Sequence, residues 1–216
     1  MNPDRETVRK IVQRETIRLM CEAYGLCFTP IAISNRHIHV SAAHVAALFG
    51  NGYRLKSVRN LSQPGQFVCE EKVTLVGPKG SLKGVRVLGP ERKATQVEIS
   101  KTDSYLLGVK PFVRMSGDLD NTPGIMIVGP AGEIPLTGGV IISARHLHLS
   151  SEETELFGLR NGDVVRIMKS GERELVFGNV IVRAGTGHAM EVHIDTDEGN
   201  AGGISSGELV LIEKQG

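Results

Sequence analysis

The stretch Ile31-Ala-Ile-Ser-Asn-Arg-His-Ile-His-Val-Ser41 decides the fold, because it returns as Val140-Ile-Ile-Ser-Ala-Arg-His-Leu-His-Leu-Ser150. Each copy runs on into a short segment that ends in Leu-Phe-Gly, at 48–50 and at 156–158. A second pair of stretches also matches, Gln96-Val-Glu-Ile-Ser100 with Glu191-Val-His-Ile-Asp195, and a Thr-Asp follows each closely. Such self-similarity indicates an internal duplication. The sequence therefore predicts two related halves, each with an Arg-His-x-His.

From residue 28 onward, short β-type runs alternate with turns that contain glycine. The chain of 216 residues has 26 glycines and only 4% aromatic residues, which favours many short strands over a helical bundle. Nine or more strands at this spacing are typical of small barrels or sandwiches. Two later helices are predicted, near 41–49 and 151–157, after serines that can cap them: Ser41, and Ser150 or Ser151. The fold class is therefore mainly β.

Three segments follow from this organisation: an amphipathic segment over 1–27, a first repeat over 28–139 and a second over 140–216. Residues 5–24 of the first segment have apolar residues broadly on one side and basic residues on the other. This pattern predicts one helix. Two interpretations stay open, a helix that packs on its own domain and a detachable docking peptide.

Charge and cysteine usage exclude several classes of protein. The formal net charge is +1, from 25 basic and 24 acidic residues, so no global field favours nucleic acid or an anionic membrane. The three cysteines are Cys21, Cys27 and Cys69, and their spacing fits neither a disulfide framework nor a cysteine zinc knuckle. No apolar run approaches the ~20 residues that a membrane span requires. A reducing cytoplasm is the simplest compartment.

The paired histidines indicate metal binding. Residues i and i+2 of a strand point the same way, so both imidazoles of each His-x-His can reach a single metal ion. Glu98 and His193 occupy equivalent places in the second matching stretch. Three protein ligands with one open position are usual for catalytic zinc, although cobalt, manganese and iron remain open from ligand type. The two predicted sites are His37, His39 and Glu98, and His146, His148 and His193.

Cationic residues near these motifs are candidates for holding an anion. Arg36 and Arg145 precede the histidine pairs, where a structural role is as plausible as a catalytic one. Arg86, Arg92 and Lys93 lie in a strand and a turn that lead to Glu98, which suits phosphate, since a guanidinium matches phosphate oxygens bidentately. A solvated surface turn is the competing interpretation.

Two further histidines stand outside the paired motifs. His44 lies in the first short helix and is predicted to face solvent. His188 precedes a predicted ligand strand, where it could contact a metal ligand without binding the metal itself, but it is given no role.

Three motifs resemble signatures of the PduL-type phosphotransacylase (phosphate propanoyltransferase) family, over roughly 28–213. They are Ser34-Asn-Arg-His-Ile-His39, Ser143-Ala-Arg-His-Leu-His148, and Val192-His-Ile-Asp-Thr-Asp-Glu-Gly-Asn-Ala201. The resemblance implies two small β-barrels capped by short helices, with strands exchanged between them, so that the opening strand of the chain joins C-terminal strands in one barrel. It also implies two zinc ions per chain. Coenzyme A sulfur would complete the first metal site, and phosphate or water the second.

The same resemblance implies further roles. Arg92 resembles the family's phosphate-binding arginine, and the residues that resemble coenzyme A contacts are Ile33, Ser34, Asn35, Arg86, Asn200 and, more weakly, Lys93. The expected reaction interconverts a short-chain acyl-CoA, such as propanoyl-CoA, and phosphate with an acyl phosphate and CoA. The N-terminal helix resembles an encapsulation peptide that binds the shell proteins of a bacterial microcompartment, and a homodimer is expected.

Two other functions stay open. A binuclear metal acyl-CoA hydrolase would also use His-x-His pairs to activate water, but it would act without phosphate. A non-catalytic metal-stabilised scaffold would fill all four metal positions with protein ligands. Acyl chain preference is not determined, because one methylene is worth only ~1–3 kcal/mol of discrimination.

Overall fold

The computed structural model describes residues 5–214, in two compact units. One, here called the barrel unit, comprises the chain up to residue 32, residues 145–193 and the chain from residue 199 on. The other, the sheet unit, comprises 33–144 and 194–198. The elements are α1 (Arg5–Tyr24), β1 (Phe28–Ser34), β2 (His37–His39), α2 (Ala42–Phe49), β3 (Ser57–Asn60), β4 (Phe67–Val76), β5 (Ser81–Gly89), β6 (Gln96–Glu98), α3 (Lys101–Leu107), β7 (Phe112–Arg114), β8 (Ile125–Val128), β9 (Glu133–Leu136), β10 (Val140–Ser143), β11 (His146–Leu149), α4 (Ser151–Phe157), β12 (Val164–Lys169), β13 (Leu175–Ala184), β14 (Glu191–Asp195), α5 (Thr196–Gly202) and β15 (Leu209–Lys214).

Six strands close into a barrel in the order β1-β14-β11-β13-β12-β15. Strand β11 pairs parallel to β13 and antiparallel to β14, and this register sets His146 opposite His193. Alternate residues of the strands face the interior, where Leu147, Ile167 and Val180 are fully buried. The barrel therefore fixes the second His-x-His on a strand that has a partner on each side.

The other nine strands form a mixed sheet in the order β7-β10-β6-β2-β5-β4-β8-β9, with β3 paired to β4. Here β2 pairs antiparallel to β6, so that His37 lies opposite Glu98 and His39 opposite Gln96. The apolar core beneath this sheet includes Ile38 and Val97, both fully buried. The predicted mainly β fold with short helices is confirmed, and the equivalence of the two ligand strands is visible in their registers.

Serine and aspartate caps start the short helices. Ser41 caps α2, and Ser150 with Glu153 forms a capping box at α4, as their positions predict. Two more helices, α3 and α5, follow the ligand strands, so the prediction of only two later helices is wrong. Ser100 and Asp103 form a capping box that starts α3. Each of these missed helices has only seven residues, too short for a clear apolar period.

The predicted N-terminal helix is confirmed as α1, and its two sides differ. Ile17 and Cys21 are buried, and a nitrogen of Arg14 lies 2.5 Å from an oxygen of Glu153 at the start of α4. The opposite side exposes Val8, Ile11, Val12 and Leu19, with exposed fractions of 43–59%. The helix therefore packs on its own unit along one side and keeps an apolar side exposed.

Two further properties bear on function. Among residues 5–214, no helix has the length and apolar character needed to cross a membrane. The three cysteines are buried free thiols, and burial raises the pKa of Cys27 to about 12 and that of Cys69 to about 11. These two thiols are poor nucleophiles at neutral pH, because the thiolate is the reactive form.

Candidate metal and phosphate site

Strands β2 and β6 bring the first three predicted ligands together in the sheet unit. One donor atom from each of His37, His39 and Glu98 lies within 4.8 Å of the others, and all three residues are buried. Nδ1 of His37 lies 2.8 Å from the carbonyl oxygen of Asn35, so Nδ1–H donates there and the neutral ring keeps its lone pair on Nε2. Nε2 of His37 lies 3.6 Å from Oε2 of Glu98. Because a nitrogen lone pair and a carboxylate repel each other, a cation between them would stabilise this arrangement.

The electrostatics of this cluster agree with that arrangement. Burial opposes protonation of His37, but the charge and hydrogen bond of Glu98 and the Asn35 carbonyl outweigh it and raise the His37 pKa. Burial, His37 and Arg92 lower the pKa of His39 to about 3, so its ring is neutral at pH 7. The Leu88 carbonyl lies near this ring, yet Nδ1 of His39 is buried without a hydrogen bond of normal geometry. Two imidazoles and a carboxylate suit zinc, which would replace the proton that Glu98 favours on His37.

The second cluster lies in the barrel unit, and it contains four histidines. The ring centroids of His146, His148 and His193 lie 4.8–5.1 Å apart. Nδ1 of His148 lies 2.9 Å from Nδ1 of His188, and Nε2 of His193 lies 2.9 Å from Oε2 of Glu191. The structure therefore brings together the second predicted triad and adds two residues that sequence reasoning left without a role.

Burial and neighbouring groups disfavour protonation of two histidines in this cluster, His148 and His188. Burial, then the neighbouring histidines, then Arg183 lower the pKa of His148 to about 2. Burial and Arg183 also lower the pKa of His188. Neutral imidazoles at pH 7 are the form that binds zinc, and a nearby carboxylate such as Glu191 is the usual partner of a zinc-binding histidine. These residue types suit zinc, but within residues 5–214 the only three donor atoms that lie within 4.8 Å of one another belong to His37, His39 and Glu98.

A chain of hydrogen bonds connects Arg92 with Glu98. Nη1 of Arg92 donates to Oγ of Ser116 over 2.9 Å, and Nε2 of Gln96 donates to the same oxygen over 2.8 Å. The same Nε2 also donates to Oε1 of Glu98 over 2.5 Å. Arg92 is half-buried, and its charge acts on both His37 and His39. A cationic group thus lies within electrostatic reach of the first cluster.

The two arginines before the histidine pairs have structural partners. Arg36 forms a two-bond ion pair with the buried Asp103, at 2.9 and 2.8 Å. Arg145 donates to the Gly178 carbonyl over 2.7 Å and lies over the ring of Phe177. The observed contacts of Arg36 and Arg145 therefore support a structural role for both, one of the two interpretations that the sequence left open.

The remaining predicted residues lie at several places. Arg86 lies on β5 in register with His37 and donates from Nη1 to the carbonyls of Cys69 and Glu70. Lys93 is exposed in the loop before β6. Ile33, Ser34 and Asn35 lead into β2, and Asn200 is exposed on α5.

One prediction about histidine is wrong. His44 was expected to face solvent, but it is half-buried, and its Nδ1 lies 2.7 Å from Oγ1 of Thr95. Thr95 also accepts from the backbone N–H of Ser41. This contact connects the start of α2 with the loop before β6, which a helical position alone does not reveal.

Sequence reasoning missed Gln96, Ser116, Glu191 and Arg183 as members of these clusters. One signal was available: Gln96 and Glu191 each lie two residues before a predicted third ligand, and so on the same strand face. Ser116 offered no such signal, because it lies in a loop far along the chain.

Comparison with known proteins gives a consistent result. A family model described as phosphate propanoyltransferase matches residues 30–205. A protein of that name from Thermotoga maritima is 48% identical over 200 residues, which cover 92% of this chain and 94% of that protein. One from Priestia megaterium is 51% identical and covers 85% of this chain and 84% of its own length. One from Clostridioides difficile is 41% identical and covers 96% and 98%.

Proposed function

We propose, because the chain belongs to the phosphate propanoyltransferase family, that it transfers an acyl group reversibly between coenzyme A and phosphate. The substrate would be a short-chain acyl-CoA, with propanoyl-CoA as the first choice. One observation carries the proposal: Arg92, a half-buried cation, acts electrostatically on His37 and His39, which form a buried donor set with Glu98. That combination suits an anionic substrate held beside a metal.

Two zinc ions per chain form the second part of the proposal. One would be held by His37, His39 and Glu98, and the other by His146, His148 and His193. When bound, zinc would supply positive charge that stabilises a coenzyme A thiolate and a phosphate. The carboxylate lowers the net charge of the first site, which favours the monoanionic sulfur there. The all-nitrogen second site keeps the higher charge that a phosphate dianion favours.

The chain's own residues would position the reactants. The Ser116 bond fixes the plane of the Arg92 guanidinium, which would donate two parallel hydrogen bonds to phosphate. A phosphate oxygen then attacks the thioester carbonyl carbon, the C–S bond breaks, and sulfur leaves with the electron pair. Arg92 stabilises negative charge that builds up on the acyl and phosphate oxygens. The high pKa of Cys27 and Cys69 is consistent with direct transfer without an acyl-enzyme.

Coenzyme A would bind along the segment that leads into β2 and along β5. This proposal covers Ile33, Ser34, Asn35, Arg86 and, as the weakest member, Lys93, all in the sheet unit. Asn200, in the barrel unit, is proposed separately as a coenzyme A contact. Arg86 supports it best, because it lies beside His37 in the sheet, where the sulfur end of the cofactor would lie.

Thiol release from propanoyl-CoA tests the proposed reaction. The rate is measured with and without phosphate, on the purified protein, after zinc removal and after zinc is restored. We expect release that requires both phosphate and zinc. Release with zinc alone would identify a metal acyl-CoA hydrolase, and absence of release with tightly bound metal would identify a metal-stabilised scaffold.

The exposed apolar side of α1 would bind microcompartment shell proteins, which would place the enzyme in the cytoplasm inside such a compartment. Val8, Ile11, Val12 and Leu19 support this, because their side chains are exposed while Ile17 is buried. Changing the four exposed residues to serine should abolish co-assembly with shell proteins and keep thiol release intact. Exchange of the exposed Arg9 for serine is the matched control. Co-assembly of the fourfold variant would refute this role.

A homodimer is the proposed oligomeric state. Sedimentation equilibrium of the full chain measures it directly. A mass that stays at the 23.3 kDa of one chain at micromolar concentration would refute it.

A further inference from the structure

Gln96 is a buried amide that is connected to both the proposed metal site and the proposed phosphate site. Its exposed fraction is 1%, and it lies on β6 two residues before Glu98, so the two side chains share a strand face. Its Nε2 donates to Glu98 and to Ser116, and its Oε1 accepts from the backbone N–H of Gly117 over 2.7 Å. Both polar atoms of the amide are therefore engaged.

The orientation of this amide follows from its partners. Gly117 N–H can only donate, and the ionised carboxylate of Glu98 can only accept. The amide oxygen must then face Gly117 and the nitrogen must face Glu98. The two N–H bonds of Nε2 go to Glu98 and to Ser116, one to each.

Ser116 extends this arrangement to Arg92. Its Oγ accepts from Gln96 and from Nη1 of Arg92. The hydroxyl thus holds the guanidinium at a fixed distance from the Gln96 amide. A carboxylate at the first cluster and the cation beside it are thereby connected through two uncharged side chains.

The second repeat has a residue with the matching task. Gln96 pairs with His39 across β2 and β6, and Glu191 pairs with His148 across β11 and β14. Gln96 donates a hydrogen bond to Glu98, and Oε2 of Glu191 lies 2.9 Å from Nε2 of His193, in each case two residues along the strand. The residue type at this position suits the third residue of each cluster. In the first repeat the Gln96 amide donates to a carboxylate, and in the second repeat the Glu191 carboxylate faces an imidazole. This complementarity indicates that both positions orient their neighbours.

We propose that Gln96 is a positioning residue that couples metal binding with phosphate binding: it fixes the Glu98 carboxylate for the metal and, through Ser116, fixes Arg92 for phosphate. The inference rests on the proposed function. Loss of Gln96 should weaken both events, whereas loss of the Ser116 hydroxyl should weaken phosphate binding alone. A side chain with a merely structural role would not separate the two effects in this way.

Gln96→Met tests the coupling, because methionine has nearly the same volume and no N–H. Zinc retention is measured by competition with a chelator on the full-length, zinc-loaded protein. We expect one zinc ion per chain to be released at about 10–100-fold lower chelator concentration, the usual effect of losing a group that orients a ligand. The other zinc ion should be held as in the wild type, and so serves as an internal control.

Steady-state rates with excess zinc provide the second readout. For Gln96→Met, KM for phosphate should rise several-fold, because Gln96 acts on Arg92 through Ser116, while KM for propanoyl-CoA stays unchanged. Ser116→Ala removes the hydrogen bond to the charged Arg92 itself, so it should raise KM for phosphate about tenfold and leave both zinc ions in place. Because the two residues act in one chain of bonds, the double variant should have the same KM for phosphate as Ser116→Ala alone.

Thr122→Val is the matched control, since Thr122 is also buried and hydrogen-bonded in the sheet unit, to the backbone of Leu119 and Gly139. It should keep both zinc ions and the phosphate KM. Equal losses in Gln96→Met and Thr122→Val would show a structural role and overturn the inference. Zinc loss without a change in phosphate KM would overturn the coupling. A wild-type protein that binds no zinc would instead overturn the proposed function.

Discussion

The two His-x-His clusters occupy matching places in the repeat but have different surroundings. In the sheet unit, His37 and His39 face a carboxylate, Glu98, and the charge of Arg92 acts on both histidines. In the barrel unit, His146 and His148 face a third imidazole, His193. The same strand register therefore supports one mixed donor set and one all-nitrogen donor set.

This difference shows how two sites of unequal charge can arise from one duplicated strand pair. The backbone pairing that places the third donor is the same in both repeats, and the side chain at that register position, Glu98 or His193, sets the charge of the donor set. A divalent ion would have a net charge of about +1 with the first set and +2 with the second. Two otherwise similar sites can thereby hold different anions, and the following experiments test that contrast.

Removal of a ligand histidine should have the largest effect. His39→Ala and His148→Ala should each lose one zinc ion per chain, and each should lower turnover by at least about 10³-fold, since a Lewis-acid ion supplies several kcal/mol. Metal analysis by atomic emission and thiol release measure both. His44→Gln is the control and should keep the metal. If only one of the two variants loses zinc, the clusters are not equivalent metal sites.

Arginine substitutions should have the next largest effect and should differ between the clusters. Arg92→Ala is expected to lower turnover about 10²-fold, the cost of losing one charged donor to a developing anion. Zinc content should not change. Arg183→Ala, beside His148 in the barrel, should cost less than about tenfold, because we assign it no bond to phosphate. Glu91→Gln, next to Arg92 and exposed, is the control. An equal loss of turnover in Arg92→Ala and Arg183→Ala would contradict the proposal that only Arg92 binds phosphate.

Acidification of the zinc-free protein should weaken the barrel unit more. His148 has a lowered pKa, so the unfolded chain binds the proton and stability falls as pH drops below about 6.5. At pH 5 this amounts to about 2 kcal/mol from His148. His39 acts in the same direction, but the raised pKa of His37 opposes it.

Hydrogen exchange at pH 7 and pH 5 measures this difference. Protection factors of β11 and β13 should fall more than those of β2 and β6. The zinc-loaded protein is the control, since bound metal excludes the protons. An equal loss of protection in both units would contradict the expectation that the raised pKa of His37 offsets the lowered pKa of His39.

The smallest effect should come from the arginines that precede the histidine pairs. Asp103→Asn removes the charge that anchors Arg36 and should cost about 1–2 kcal/mol, discounted because Arg36 is partly exposed. Arg145→Lys weakens a bond to a backbone carbonyl and should cost under about 1 kcal/mol. Thermal unfolding followed by circular dichroism compares the two. A larger loss for Arg145→Lys would reverse the expected order.

Much of the fold was predictable because its signals are local. The repeated Arg-His-x-His, the glycine turns between short strands and the apolar stripe of α1 are visible without any contact. Helices α3 and α5 were not predictable in this way, because seven residues give too little periodicity, and the capping box of Ser100 and Asp103 is a weak signal alone. His44 was misplaced for a similar reason, since its partner Thr95 lies 51 residues away.

The sequence by itself determined the duplication and the pairing of each His-x-His with a third donor. It could do so because strands repeat every two residues, and matching stretches must take matching registers. Only the tertiary structure decided that Ser116 connects Gln96 to Arg92 and that His188 contacts His148. Those contacts join loops to strands across 20–40 residues, and loop paths depend on how the whole sheet closes rather than on any local pattern.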